Sequence, residues 1–431
     1  METSMKDVSR RDFIKTTGAA GAAVATFFIG TSRGQAGPND RVRHAVIGVG
    51  GQGRGHCRAF DGFEDCDVVA ICDVDPTQLE KARKEINPDT EVKLVSDFHT
   101  ILEDHTIDSV SVATPDHWHT PVALWALAAG KHVYVEKPCA HNVREAQLLE
   151  AAATKTGKCV QHGTQARSSQ GVADTVQALR DGIIGKVRLA KAINHQLRGP
   201  IGRGPDSDPP SGVDYDRWLG PAPVRPWSKN RWHYHWHWHW DYGTGDIGND
   251  GVHQIDVARW GLGVAFPKAV SGSGGQLFYD DDHETPDTQI VTYEYDDCYL
   301  IYEMRLWTDY KLEGQTNGIV YYGDTGTVDI GSQGCFHNPI EGERKRLGDW
   351  SSFTANVRNF VDCVKANDPS GLKAPISEAF PSVTLCHLGN IVTRVGRRIE
   401  YDSENHRIPS DEEADKLLTR TYRKGYELPE V

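Results

Sequence analysis

Short apolar runs at 45–49, 68–72, 92–95, 109–113, 133–135 and 158–162 alternate with stretches that read as helices, at 76–86, 98–102, 120–129 and 143–156. In the last of these, Leu148, Leu149 and Ala152 share one face. Short apolar strands separated by helices predict a parallel, doubly wound α/β sheet with both faces covered. After 162 the pattern changes. A helix is expected at 172–183 and a strand at 187–194, whereas 198–230, rich in Gly, Pro, Asp and Arg, reads as a long irregular loop. Runs at 289–295, 300–306, 318–322 and 327–330 alternate apolar and polar positions and predict an open, mostly antiparallel sheet with one covered face. Helices are expected at 353–366 and 379–395. The chain thus divides into an α/β domain at 38–162 and an α+β domain at 163–431, with 1–36 set apart as a leader.

The first apolar strand runs into Gly48-Val49-Gly50-Gly51-Gln52-Gly53 and then a helical segment, and the second strand ends on Asp73. Strand, G-x-G-x-x-G, helix, strand and acid in that order form the dinucleotide-binding βαβ pattern. Its glycines allow a tight turn and a close approach to a pyrophosphate, and the helix start offers free N–H groups to it. Asp73, twenty residues past Gly53, suits the ribose hydroxyls and repels a 2′-phosphate, so NAD is expected in preference to NADP.

Ligands of such sheets lie beyond the carboxyl ends of the strands. Two of those ends are chemically loaded: Thr114-Pro115-Asp116-His117-Trp118-His119 and Glu136-Lys137-Pro138. Lys137 stands at the mouth of the sheet, where its amine can hold or deprotonate a substrate hydroxyl, and the Lys-Pro bond is a candidate cis turn. With the glycine motif these segments, in this order, resemble the glucose–fructose oxidoreductase / inositol dehydrogenase / rhizopine catabolism (Gfo/Idh/MocA) family, over about residues 42–410. The resemblance implies that Lys137 contacts both substrate and nicotinamide and that His119 lies near the nicotinamide ribose. Gly48, Gly50, Gly51, Gln52, Gly53 and Asp73 then join Thr114, Pro115, His119, Glu136 and Lys137 as the cofactor set.

In the second domain, 232–240 alternates aromatic and histidine strictly. As a strand it would place four histidines (His233, His235, His237, His239) on one face and five aromatics on the other. A tryptophan face suits stacking on sugar rings, a pair of histidines suits a shared metal, and a packed segment needs neither. No carboxylate or cysteine ligand set stands nearby, so no metal is expected. The family's D-x-G-x-H-x-x-D pattern is matched at His253 and Asp256, but its first acid is Asn249 here, and the neighbouring Asp250 is turned away by about 100° in a helix. By resemblance His253 transfers the proton, with Asp256 one turn away on the same face. Lys137, His253 and Asn249 are the expected catalytic residues, and Arg167 and Trp238 join them on the substrate side.

Composition narrows the rest. At 431 residues, 38% hydrophobic and 25% charged, the chain suits a soluble protein with ample core, and its net charge of -13 argues against nucleic acid or an anionic membrane as partner. Nine scattered cysteines without a C-x-x-C give no disulfide framework. Ser9-Arg10-Arg11-Asp12-Phe13-Ile14-Lys15, a mildly apolar run at 16–30 and Gly34-Gln35-Ala36 make a twin-arginine export signal, which carries folded proteins to the periplasm. An exported, NAD-loaded enzyme oxidising a hydroxyl of a sugar, glycoside or cyclitol is the expected function, as a homo-oligomer by analogy with the family. Some exported members instead oxidise a sugar transiently, eliminate its substituent, add water and re-reduce, making NAD-dependent glycoside hydrolysis the alternative. A non-catalytic sugar-binding protein is the remaining class.

Overall fold

The computed structural model describes residues 41–350 and 353–429. The leader at 1–36 lies outside them. The first half builds β1 (Val42–Ile47), α1 (Gly51–Asp61), β2 (Cys66–Cys72), α2 (Pro76–Arg83), β3 (Lys93–Val95), α3 (His99–Leu102), β4 (Ser109–Val112), α4 (Asp116–Ala128), β5 (His132–Val135), α5 (Val143–Thr156) and β6 (Val160–His162). Its six strands are all parallel, in the order β3-β2-β1-β4-β5-β6. Strand order reverses beside β1, the point where a doubly wound sheet opens a ligand crevice. Register puts Ile47 opposite both Cys72 and Val112, so Gly48, Asp73 and Ala113 leave the sheet at one level.

Local chemistry explains several element ends. Asp75 caps α2, accepting from Thr77 N, with Pro76 at the first helical position. Asn142 caps α5 by accepting from Glu145 N, and Gly157 closes it with a left-handed φ of 64°. Strand β1 stops two residues earlier than expected because the chain turns at Gly48 with φ 81°. Helix α4 begins at Asp116, not at 120, although Pro121 suits a helix start. Contacts from outside the sheet hold that extra turn: Trp218 O accepts from Trp118 Nε1 at 3.0 Å, and Asp116 accepts from Thr244 Oγ1 at 2.8 Å.

The second half adds α6 (Gln170–Arg180), β7 (Leu189–His195), α7 (Tyr215–Leu219), α8 (Val252–Leu262), β8 (Ala269–Gly275), β9 (Thr288–Glu294), β10 (Tyr299–Arg305), β11 (Asn317–Tyr322), β12 (Gly326–Gly331), β13 (Gly334–Pro339), β14 (Lys345–Gly348), α9 (Phe353–Ala366), α10 (Ile376–Val395), β15 (Ile399–Glu400) and α11 (Glu412–Lys416). Nine strands form one sheet in the order β14-β13-β12-β11-β7-β10-β9-β8-β15, antiparallel except where β7 meets β10. One face buries Val291, Tyr293, Leu300, Tyr302 and Met304 under α8 and α10, while Ile290 and Tyr299 are exposed on the other. Each fully buried large side chain of this kind stabilises by about 1.5–3 kcal/mol relative to exposure.

Two packings tie the halves together. Helix α9 returns to the first sheet, where Phe360 joins Phe60 and Tyr134, and Tyr134 Oη donates to Asn356 Oδ1 at 2.8 Å. A small apolar cluster, Trp218, Leu219, Ala222, Trp232 and Tyr242, packs against Val74 just past β2. The loop expected at 198–230 therefore holds α7 and part of this cluster, and it roofs the mouth of the first sheet.

Candidate active site

A cleft of about 590 Å³ opens beyond the carboxyl ends of β1, β2, β4 and β5. The glycine motif divides its labour. A side chain at Gly48 would meet Thr114 N at 2.7 Å, and one at Gly53 would meet Gly48 O at 1.9 Å, so these two let the turn, α1 and β4 pack. Gly53 lies behind the turn and does not line the cleft. Gly50 and Gly51 do line it, and nothing lies within 4 Å of an added Cβ at either. With the unpaired amides of the α1 start behind it, this is the cradle that a pyrophosphate requires. Asp73 reaches the same cleft, its carboxylate accepting from Val49 N and Asp75 N at 2.9 Å. Burial pushes its carboxyl up to about 6 against these main-chain bonds, which leaves it mostly ionised at neutral pH.

Gly51→Val is expected to keep the fold, since no protein atom opposes the side chain. It should lose bound nucleotide roughly tenfold, because overpacking of this kind costs about 1–3 kcal/mol. Nucleotide released on denaturation measures it. Full nucleotide content in that variant would mean the cradle is not where the pyrophosphate sits.

At the end of β5, Glu136 is buried and accepts from His56 Nε2 at 2.9 Å, Gln52 Nε2 at 3.0 Å and Lys137 N at 3.1 Å. Burial works to raise its carboxyl, but the His56 bond and charge and the charge of Lys137 bring it down to about 2. The Lys137-Pro138 bond is cis. His119 lines the cleft, but its Nδ1 lies 2.7 Å from Pro138 O and its Nε2 2.8 Å from Thr114 O. Burial lowers its imidazole below the ordinary histidine value, so the ring carries one N–H and donates to one of these two carbonyls, while both nitrogens face main-chain oxygens and neither is turned to a ribose. Thr114, Pro115, Asp116 and Lys137 complete this wall.

Lys137 Nζ donates to the main-chain oxygen of Asn249 and, at 3.1 Å, to its Oδ1. Asn249 belongs to a π-helical turn, Ile247–Gly251, directly before α8, the kind of irregularity that recurs at functional sites. This turn sends Asp250 to the sheet side, where Gln196 Nε2 and Asn317 Nδ2 bond it at 2.5 Å, and leaves Asn249 facing the cleft. His253 follows one turn later, half-buried and just outside the residues that line the cleft. Burial, then the charge of Lys137, lowers its imidazole below the ordinary histidine value, so it is neutral near pH 7.

Three expectations are corrected here. Asp256 does not support His253: both its oxygens take Arg167 Nε, at 3.0 and 2.8 Å, and Oδ1 also takes Ser382 Oγ at 2.6 Å. Arg167, 7% exposed, is therefore committed to Asp256 and, at 3.1 Å, to Glu378, and stacks over Trp260; it does not reach the cleft. Trp238 is 1% exposed, packs edgewise on Tyr234 and beside His283, and does not line the cleft.

The aromatic–histidine run is not a strand. Its amides turn back on the chain itself, His235 N to Trp232 O at 3.2 Å, His237 N to Tyr234 O at 3.4 Å and His239 N to Trp236 O at 3.2 Å. His233 has a φ of 54°. Side chains thus leave the run in several directions. Trp232, His233, Tyr234, Trp236 and His237 line the cleft, with His233 Nε2 3.3 Å from Asp75, while His239 is buried against Asn230 O and Glu284. Among the described residues no three His, Cys, Asp or Glu side chains converge as metal ligands do. Tyr426, from the C-terminal tail, closes the far end against Trp118.

Arg198, Asp246 and His56 carry no local signal in the sequence, because each enters the site through a partner remote along the chain. Arg198 donates to Tyr234 Oη at 3.1 Å, for example.

Known proteins share this architecture. Residues 42–164 match a family model described as an oxidoreductase family, NAD-binding Rossmann fold, and 203–428 match its C-terminal alpha/beta domain. Residues 7–27 match a twin-arginine translocation pathway signal sequence, so the chain carries the signal for export by that route. A glycosyl hydrolase family 109 protein of Saccharopolyspora erythraea is 30% identical over 221 residues, 46% of this chain and 48% of that protein. The chain spans about half the length of the curated relatives it matches. The WlbA dehydrogenase of Bordetella pertussis, solved with NADH and UDP-GlcNAcA, superposes with a TM-score of 0.63 at 18% identity over 84% of this chain and 99% of that one. The aldose-aldose oxidoreductase of Caulobacter crescentus, solved with glycerol, gives 0.64 at 19% over 84% and 99%. At such identities these structures establish the fold alone.

Proposed function

The chain belongs to the Gfo/Idh/MocA oxidoreductase family, and on that premise we propose that it oxidises a hydroxyl of a sugar, glycoside or cyclitol, using an NAD that stays bound through the catalytic cycle. The observation that carries the reading is Lys137, held by Asn249 from the opposite domain at the inner end of the cleft, with His253 one helical turn away. Bound NAD supplies a hydride acceptor. Lys137 Nζ directs its remaining hydrogen to the substrate oxygen and stabilises the charge that develops there. His253, neutral near pH 7, accepts the hydroxyl proton on an imidazole nitrogen. Among the described residues no protein group hydrogen-bonds its ring, which leaves that ring available. Glu136, fixed by His56 and Gln52, keeps the Lys-Pro turn in place. The aromatic run and Tyr426 exclude water from the nucleotide.

A roofed nucleotide suits a protein that leaves the cytoplasm, and we place its work in the periplasm. The exposed Ile290 and Tyr299 on the outer face of the second sheet suit contact with a second copy.

A second reading is NAD-dependent glycoside hydrolysis with no net redox change. It is favoured by the relatives named glycosyl hydrolase family 109 and uses the same roofed nucleotide. The test is an absorbance scan of the protein as purified, with glycosides and free sugars added in turn and no nucleotide supplied. A lasting reduced-nicotinamide band with a free sugar supports the oxidoreductase. Glycoside cleavage without a lasting band supports the hydrolase. No nucleotide on denaturation, and no band with added NAD, overturns both.

A further inference from the structure

The acid that family members carry four residues before the histidine is an asparagine here, at 249, yet a carboxylate stands directly behind it. We propose that Asp246 is a positioning residue that acts through Asn249 to fix Lys137 for the reaction, an inference that rests on the catalytic role of Lys137 proposed above. Asp246 is 1% exposed. Its Oδ1 accepts from Asn249 Nδ2 at 2.9 Å and lies 3.1 Å from Arg198 Nη2, and its Oδ2 accepts from Asn194 Nδ2 at 2.9 Å.

A carboxylate can only accept hydrogen bonds, so Asp246 requires the amide nitrogen of Asn249 to point at it. That choice turns the amide oxygen to Lys137 Nζ, 3.1 Å away. The opposite flip would set oxygen against oxygen on one side and nitrogen against ammonium on the other. Two of the three lysine donors are thereby aimed at Asn249, and one is left for the cleft. Asn249 Nδ2, Asn194 Nδ2 and Arg198 Nη2 all turn donors to Asp246, as a carboxylate requires; burial raises the carboxyl above its ordinary value, and the Arg198 guanidinium is the largest influence opposing that rise. The same Arg198 donates to Tyr234 Oη, so the second domain orients a wall residue and the lysine from one buried pair. The relay from carboxylate to amide to ammonium fixes geometry without placing the Asp246 carboxylate against the lysine itself.

Asp246→Asn removes the feature that sets the amide orientation while keeping size and shape. It is expected to lower kcat on the order of 10²-fold, the scale of losing about 1 Å of alignment, with bound nucleotide and KM little changed. Asp246→Asn combined with Asn249→Asp restores a carboxylate directly on Lys137 and should recover most of that rate. Arg198→Met with Asp246→Asn buries no unpaired charge, folds where the single variant does not, and should still be slow. Wild-type kcat in Asp246→Asn or in the Arg198→Met pair overturns the inference. So does a kcat loss that follows the unfolding midpoint and is not rescued by Asn249→Asp. Lys137→Ala, run alongside, separates the two levels: wild-type turnover there removes the functional reading itself, whereas an inactive Lys137→Ala beside a fully active Asp246→Asn removes only the role of Asp246.

Discussion

Lys137→Ala is expected to lower kcat by about 10²–10⁴-fold, the usual scale for a group that handles the proton or charge at the reacting atom, while NAD stays bound. The separation follows from where the contacts lie. The nucleotide cradle is made of Gly50, Gly51, the α1 start and Asp73, whereas the Lys137 Nζ bonds go to Asn249. Among the described residues the ammonium meets only Asn249 as a hydrogen-bond acceptor. Truncation to Ala therefore removes the donor aimed at the substrate oxygen and leaves Glu136, His56 and His119 holding the strand ends. Single-turnover absorbance of the reduced nicotinamide, set beside nucleotide content after denaturation, measures both halves. Undiminished turnover with nucleotide in place would falsify the assignment.

Arg167→Ala should act in the opposite way, on folding and not on chemistry. It strips a buried carboxylate of its partner, a change that costs about 3–5 kcal/mol when one member of a buried pair is removed. Asp256 lies in α8, Ser382 and Glu378 lie in α10, and Arg259 bonds both of the latter, at 3.0 and 2.5 Å. The ion pair is thus a clasp between the turn after β6 and two helices. Denaturant unfolding is the measurement, and a raised KM at unchanged stability would return Arg167 to the substrate side.

The same pair gives stability a pH dependence of defined sign. Burial works to raise the Asp256 carboxyl, yet Arg167, Arg259 and Ser382 hold it below its ordinary value. Its contribution is complete above the unfolded carboxylate pKa of about 3.9 and drains away as pH falls towards the lower folded value. In Arg167→Ala this part of the acid sensitivity should disappear.

Much of the first sheet was legible in the sequence because its signals are local. An apolar strand, a glycine turn and a helix follow one another within a few residues, and each constrains the backbone on its own. Helices 143–156 and 353–366 fall on the expected residues for the same reason. The β4-to-α4 junction did not, because its extra turn is held by Trp218 and Thr244, more than ninety residues away.

The aromatic–histidine run shows where periodicity stops being decisive. Alternation of period two describes a strand only if an edge is available to pair its amides. Here the amides of His235, His237 and His239 are satisfied within the run by successive tight turns, and side chains that sequence would have sorted onto two faces separate into cleft wall and core. Trp238 fell on the core side for that reason.

The sequence by itself determined the order of strands and helices in the first sheet, the nucleotide cradle, the lysine at a strand end and the export signal, all written in contiguous residues, whereas in the second sheet β8, β13, β14 and β15 came only with the structure. Only the tertiary structure decided who partners whom among the buried charges: Arg167 with Asp256, His56 with Glu136, Arg198 with Asp246, and Asn249 between Asp246 and Lys137. A buried charge must find a partner or a hydrogen bond, but the chain does not say which. That choice falls to whatever groups the packed helices and sheets bring within about 3 Å, and it separates the residues that serve the reaction from those that hold the fold.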